Sequence, residues 1–149
     1  MEIVRGVYEA LNRGDLAAVL EKIDPDFEWW PRDDAPENDL IRGPEGFKAE
    51  WESIVDVLGE FRQEPKEFID AGDYVVVPVM QVGRGRASGA SIEQHEVHAF
   101  RLRNGMWVEL REYHDKDEAL KAVSLADYGS GAILLSRKTH RRTALLSST

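Results

Sequence analysis

The chain has 149 residues, 42% of them hydrophobic, no cysteine, and a formal charge of −9 from 28 acidic and 19 basic residues. That length suits one domain with its own core; the lack of thiols rules out disulfides, thiolate nucleophiles and cysteine-bound zinc; and the acidic balance argues against nucleic acid or an anionic membrane as partner. No run reaches the roughly 18–20 apolar residues of a membrane span, and the start MEIVRGVYEALNRGD is acidic and helix-patterned where a secretory signal would be basic then apolar, so a cytoplasmic protein is expected.

In chain order, Ile3, Val4, Val7, Tyr8 and Leu11 recur at three- and four-residue spacing, which predicts a first helix that Gly14 can end. Asp15 suits the N-cap of a short second helix burying Leu16, Val19, Leu20 and Ile23, with Pro25 as its stop. FEWWP then reads as a strand and RDDAPENDLIRG as a polar loop. Pro44 belongs in the first turn of a third helix, in which Phe47, Trp51, Ile54, Val55 and Leu58 share a face. From there the period falls to two. FRQEPKEFI, YVVVPVMQVGRGR, IEQHEVHAFRLR and MWVELREYH read as four strands separated by the turn signals DAGD, ASGA and RNG. Asp115 caps a last helix through Ala119, Leu120 and Val123, with Glu118 placed for a capping box.

This order of elements predicts an α+β fold, an antiparallel sheet covered by helices on one face, with its domain at residues 1–123. Residues 124–149 read as a basic Ser/Thr-rich tail, in which Arg137, Lys138, Arg141 and Arg142 outweigh Asp127. Its GAILL segment is apolar enough to dock, and four basic residues are thin support for a nucleic-acid arm, so an appendage is expected.

The last hairpin decides where chemistry sits. A two-residue loop, Asn104 and Gly105, would oppose Arg103 to Met106 but mix Phe100 with Glu109. A three-residue loop from Arg103 to Gly105 sets Leu102 against Met106, Phe100 against Val108 and His98 against Leu110, keeping one face apolar beside the turn. The pattern favours this second register, because a slip of one residue turns every side chain over. Farther along the same face come Glu96 opposite Glu112 and Gln94 opposite His114, with His98 one step from both acids. The other face sets Arg101 beside Trp107, Ala99 beside Glu109 and Val97 beside Arg111, a mixed surface suited to solvent or a subunit contact.

Opposed side chains have Cβ atoms about 5 Å apart. Under a cover of helices, two carboxylates so placed cannot easily both stay ionised: one takes a proton, or His98 becomes imidazolium between them. Such a set holds a proton donor and acceptor together near neutral pH, as general acid and base chemistry requires. The competing reading is a wet hairpin end with solvated glutamates paired to arginines.

YEALNRGDLAAVLEKIDPDFEWWP, IRGPEGFKAEW and FRLRNGMWVELREYHDKDEALKAV together resemble the SnoaL-like branch of the NTF2-like superfamily across nearly all of residues 1–123. The resemblance implies a cone-shaped α+β barrel, a curved antiparallel sheet with helices covering its concave face around a pocket, commonly a homodimer through the outer sheet face. Its members include polyketide cyclases, ketosteroid isomerase-like proteins and limonene epoxide hydrolases beside many proteins without known activity, so fold does not settle function. The family pattern points an acidic residue of the last strand into the cavity, here Glu112. The hydrolases' arginine and aspartate, two residues apart on the long third strand, fall on Val79 and Gln81, which argues against that mechanism. The isomerases' tyrosine and protonated acid have no counterpart identifiable by sequence.

Two readings follow. The first is a cofactor-independent cyclase or isomerase type of enzyme, in which Glu112 takes a proton from an acidic carbon of a small, mostly apolar substrate, His98 polarises or reprotonates it, and Glu96 tunes both. Tyr8, Trp29, Trp51 and Leu110 would wall the pocket, and Gln81, Gln94 and His114 would supply polar contacts, although aromatics at such spacing more often serve as core. The second is a non-catalytic ligand-binding protein or dimeric protein-interaction module on the same fold. A metal held by Glu96, His98 and Glu112 is conceivable, since zinc and iron accept such ligands, but no metal or cofactor is assigned, and no Gly-x-Ser-x-Gly turn or phosphate loop occurs.

Overall fold

The computed structural model describes residues 1–32 and 40–127. The chain runs α1 (Glu2–Asn12), α2 (Leu16–Leu20), β1 (Ile23–Trp30), β2 (Ile41–Arg42), α3 (Gly43–Val57), β3 (Leu58–Pro65), β4 (Ile69–Ala71), β5 (Tyr74–Gly85), β6 (Ser91–Arg103), β7 (Met106–Tyr113) and α4 (Lys116–Asp127). The strands form one open sheet in the order β2-β1-β7-β6-β5-β3, with β4 beside β5. The α+β expectation holds, yet the sheet is mixed: β1 runs parallel to β7, and the other neighbours are antiparallel. Parallel neighbours need a long connection between them, and everything from β2 to β6 supplies it.

Local signals account for most element ends. Gly14, with φ +79°, turns the chain out of α1, and the Asp15 carboxylate accepts from the Ala18 N–H at 3.1 Å, the expected N-cap. Pro25 is not the stop of α2, which ends at Leu20; it lies inside β1, where the register against β7 is broken between Ile23 and Glu28. A proline costs least where the ladder is already interrupted. The FRQEPKEFI stretch is divided into β3 and β4, and Lys66 N–H bonds the Pro78 carbonyl at 2.8 Å between them. At α4 the Asp115 carboxylate accepts from Glu118 N–H at 2.8 Å, while the Glu118 carboxylate reaches the N–H of His114, one residue before the cap, at 2.9 Å. The helix runs on to Asp127, past the boundary expected at 123. The GAILL segment and the four basic residues lie outside the described residues.

The hairpin between β6 and β7 overturns the three-residue register. Asn104 (φ 54°) and Gly105 (φ 76°) are both left-handed, as a two-residue type I′ loop requires, and Arg103 faces Met106. The clash of Phe100 with Glu109 is removed by a bulge. Leu102 pairs with Trp107 but Arg101 with Glu109, so Val108 is the additional residue, and beyond it Phe100 meets Leu110 and His98 meets Glu112. Glu96 is therefore not opposite Glu112; it sits one rung farther on, paired with Val79 of β5, while Gln94 pairs with Gln81. The outer face shifts in step: Arg101 faces Glu109, Ala99 faces Arg111, and Val97 faces Tyr113.

Two cores result. On the concave face, α1, α2 and α3 bury Val4, Tyr8, Val19, Phe47 and Trp51 against Phe27, Val77, Phe100 and Trp107. On the convex face, Ala119 and Val123 of α4 pack on Tyr74, Val76, Val97 and Ala99, so helices cover both faces and not the concave one alone. Small side chains at Val76, Val97 and Ala99 let α4 sit close. Beneath it Tyr74 donates to the Glu109 carboxylate at 2.6 Å and Arg111 donates to the same carboxylate at 2.7 Å. This stretch of the outer face is thus dry rather than solvated. Among the described residues no helix is long and apolar enough to cross a membrane.

Candidate active site

Between α1, α3 and the concave side of the sheet lies a small cavity of about 40 Å³. Trp29, Phe47, Trp51, Phe61, Phe100 and Trp107 give it aromatic walls. The alternation of β5, β6 and β7 then aims Gln81, His98 and Glu112 into it, because residues two apart along a strand share a face. Tyr8 comes from α1 and Gln63 from β3.

These groups form one hydrogen-bonded system. The Tyr8 hydroxyl lies 2.7 Å from His98 Nδ1, and the two rings stack at 4° with centroids 5.9 Å apart. His98 Nε2 lies 2.7 Å from Glu96 Oε2. The same oxygen accepts from Gln81 Nε2 at 3.3 Å, and Gln81 Nε2 also donates to Gln63 Oε1 at 2.9 Å. Asn12 clamps the Gln63 backbone from both sides, at 2.8 and 2.9 Å. Arg32 approaches the other Glu96 oxygen at 3.6 Å, and the Gln94 amide oxygen, turned to suit both groups, accepts from that guanidinium at 3.0 and 3.1 Å.

Electrostatics divides the two acids. Burial pushes Glu112 well above the usual carboxyl range, and the Glu96 charge and hydrogen bond push it farther in the same direction. The Trp29 indole N–H opposes this shift without reaching hydrogen-bond geometry. For Glu96 burial also acts upward, but the hydrogen bond and charge of His98, the Arg32 guanidinium and the hydrogen bond from Glu112 outweigh it and hold the group low. One proton therefore sits on Glu112, which donates to an ionised Glu96. Burial and both carboxyl groups raise Tyr8 well above the ordinary phenol value. Tyr8 keeps its hydrogen, and Nε2 of His98 faces the Glu96 carboxylate.

The structure brings Glu96, His98 and Glu112 together, one ligand atom of each lying within 4.8 Å of the others. Such a set could in principle hold a cation; the proton between the acids and the Arg32 charge work against one. Tyr8, Trp29, Trp51, Gln81 and Leu110 line the cavity as expected. His114 does not: it is exposed past the end of β7, because the bulge carries its pairing position off the strand and its N–H serves the start of α4. Gln94 sits behind the acids on Arg32 rather than on the cavity wall. Arg32 and Gln63 were not singled out from the sequence. Arg32 follows directly on FEWWP, and Gln63 alternates with Phe61, which are signals a strand register would have turned into positions.

Comparison with known proteins follows the same lines. The family model described as SnoaL-like domain matches residues 4–110. No match is found among curated proteins. Among solved structures, an NTF2-like protein of unknown function from Burkholderia pseudomallei K96243 is 29% identical over 81% of this chain and 94% of its own, with a TM-score of 0.69. TerC, co-crystallised with polyporic acid, is 24% identical over 80% of this chain and 94% of its own, with a TM-score of 0.67. A protein assigned as a SnoaL-like polyketide cyclase by likeness, from Jannaschia sp. CCS1, is 20% identical over 83% and 90%, with a TM-score of 0.67. The last two show likeness of fold alone.

Proposed function

Because the chain belongs to the SnoaL-like domain family, we propose that it is a small-molecule enzyme of cyclase or isomerase type working without a cofactor. The observation that carries this reading is the cluster of Glu96, His98 and half-buried Glu112 at an aromatic cavity, in which burial and the Glu96 charge raise Glu112 while His98 and Arg32 lower Glu96. Glu112 starts protonated and gives its proton to a small, mostly apolar substrate; the carboxylate so formed takes a proton back from an acidic carbon, so that proton count and charge are restored. Glu96 stays ionised and, through its charge, holds the Glu112 proton above the ordinary carboxyl range. His98 and Tyr8 hold Glu96 in place from one side and Arg32 from the other. That TerC was crystallised with polyporic acid supports a small organic ligand for this fold.

The test is the pH dependence of activity, or of ligand affinity read by tryptophan fluorescence. The wild type should titrate between roughly pH 5 and 8, and Glu112→Gln should remove that titration. A flat wild-type profile sinks the reading. One observation favours a passive binding protein instead: both ring nitrogens of His98 and both oxygens of Glu96 already have partners inside the chain. Such a protein would bind without turnover and with little response to pH.

We place the protein in the cytoplasm as a homodimer, joined through the convex face beyond α4. Half-buried Pro78 and Met80 supply an apolar contact there beside exposed His95. Sedimentation velocity of the wild type and of Met80→Lys checks this: a wild-type monomer, or a variant that stays dimeric, rejects the contact.

A further inference from the structure

The proposed pocket fixes where a proton moves but not how a ligand is oriented. We infer that Gln63 is a specificity-determining residue, donating a hydrogen bond to an oxygen of the ligand with a polarity that Glu96 sets through Gln81. The inference takes from the proposed function the ionised Glu96 and the use of the cavity for a ligand.

An ionised carboxylate only accepts hydrogen bonds, so the amide facing it must present its NH2. Gln81 does so at 3.3 Å, and its nitrogen spends the second hydrogen on Gln63 Oε1 at 2.9 Å. With its oxygen committed, Gln63 has its own NH2 left to offer. Among the described residues no acceptor is bonded to that NH2, although Gln63 is only 5% exposed and lines the cavity. The side chain cannot easily withdraw, because Asn12 bonds both its backbone N–H and its backbone carbonyl. That NH2 is not sealed off but opens on the cavity, where a ligand oxygen can accept from it. The aromatic walls around it favour a flat ring as the carrier of the oxygen.

Indane and 1-indanone, matched in shape and differing by one carbonyl, make the test. Their dissociation constants are read by fluorescence of the cavity tryptophans at fixed pH, for wild type, Gln63→Leu, the closer isostere Gln63→Met, and Gln81→Leu. Circular dichroism establishes that each variant is folded. The quantity is the ratio of the two constants, which removes the differing hydration of the probes. Relative to wild type, loss of the Gln63 donor should shift the ratio against the ketone about 3- to 10-fold, and Gln81→Leu should shift it part of the way. A ratio unchanged in both Gln63 variants, or moved towards the ketone, overturns the inference. An unchanged ratio in Gln81→Leu overturns the control by Glu96. Because no proton transfer is read, either result leaves the Glu112 titration standing, whereas a wild type that binds neither probe overturns the pocket and this inference together.

Discussion

Glu96 and Glu112 are chemically identical and close in space, yet one is held low and the other high, because His98 and the Arg32 guanidinium converge on Glu96 while burial and the Glu96 charge dominate at Glu112. Stability inherits that asymmetry. Glu112 binds its proton more tightly folded than unfolded, so its contribution is fully present below the ordinary value of 4.5 and is lost as pH rises through the folded value. Glu96 has the opposite sign, contributing above 4.5 and failing as pH falls. Glu112→Gln, which cannot ionise, should lose less thermal stability than wild type as pH is raised from roughly 5 to 8. Parallel melting curves of the two proteins across that range would reject the shared proton. The acids and His98 were legible in the sequence because they alternate on a strand beside an apolar patch. Gln63 and Arg32 were not, since a lone polar residue has no periodicity of its own and acquires a role only from the neighbours that folding brings.

At the scale of elements, the β6–β7 hairpin shows how a wrong register can lead to the right face. A three-residue loop would avoid opposing Phe100 and Glu109; the chain keeps the tighter Asn104–Gly105 loop and inserts Val108 instead. The longer loop would take Arg103 out of β6, whereas the bulge adds Val108 to β7; the two shift the pairing by one residue in opposite senses, and that shared parity decides that Leu110 and Glu112 look inward. What no pattern announced was where the extra residue would go, because a bulge leaves the composition of a strand unchanged. Gly105 carries the loop: a Cβ there would meet nothing within 4 Å, so substitution is opposed by its φ of +76° and not by crowding. Gly105→Ala should therefore cost about 1–2 kcal/mol, lowering the urea midpoint while leaving ligand affinity intact. No change in that midpoint would argue against the left-handed loop.

For the molecule as a whole, the α+β class and the concave core followed from the change of period after Leu58 and from the stripe of Phe47 and Trp51 on α3. The convex core did not, because the narrow stripe of Ala119 and Val123 on α4 fits either side of a sheet and only tertiary packing selects one. The result is that β7 has no wet side. From Trp107 to Arg111 every residue is buried, with Trp107 and Leu110 beneath the first helices and the Glu109–Arg111 pair beneath the last. Parallel β1 borders it on one edge and antiparallel β6 on the other. No partial opening frees its amide hydrogens without dismantling both cores, so they should exchange with deuterium at the rate of complete unfolding and later than those of the helices. Glu112, the proposed proton donor, thus rides on the least yielding strand among the described residues, and any motion that admits a ligand belongs to the helices around it.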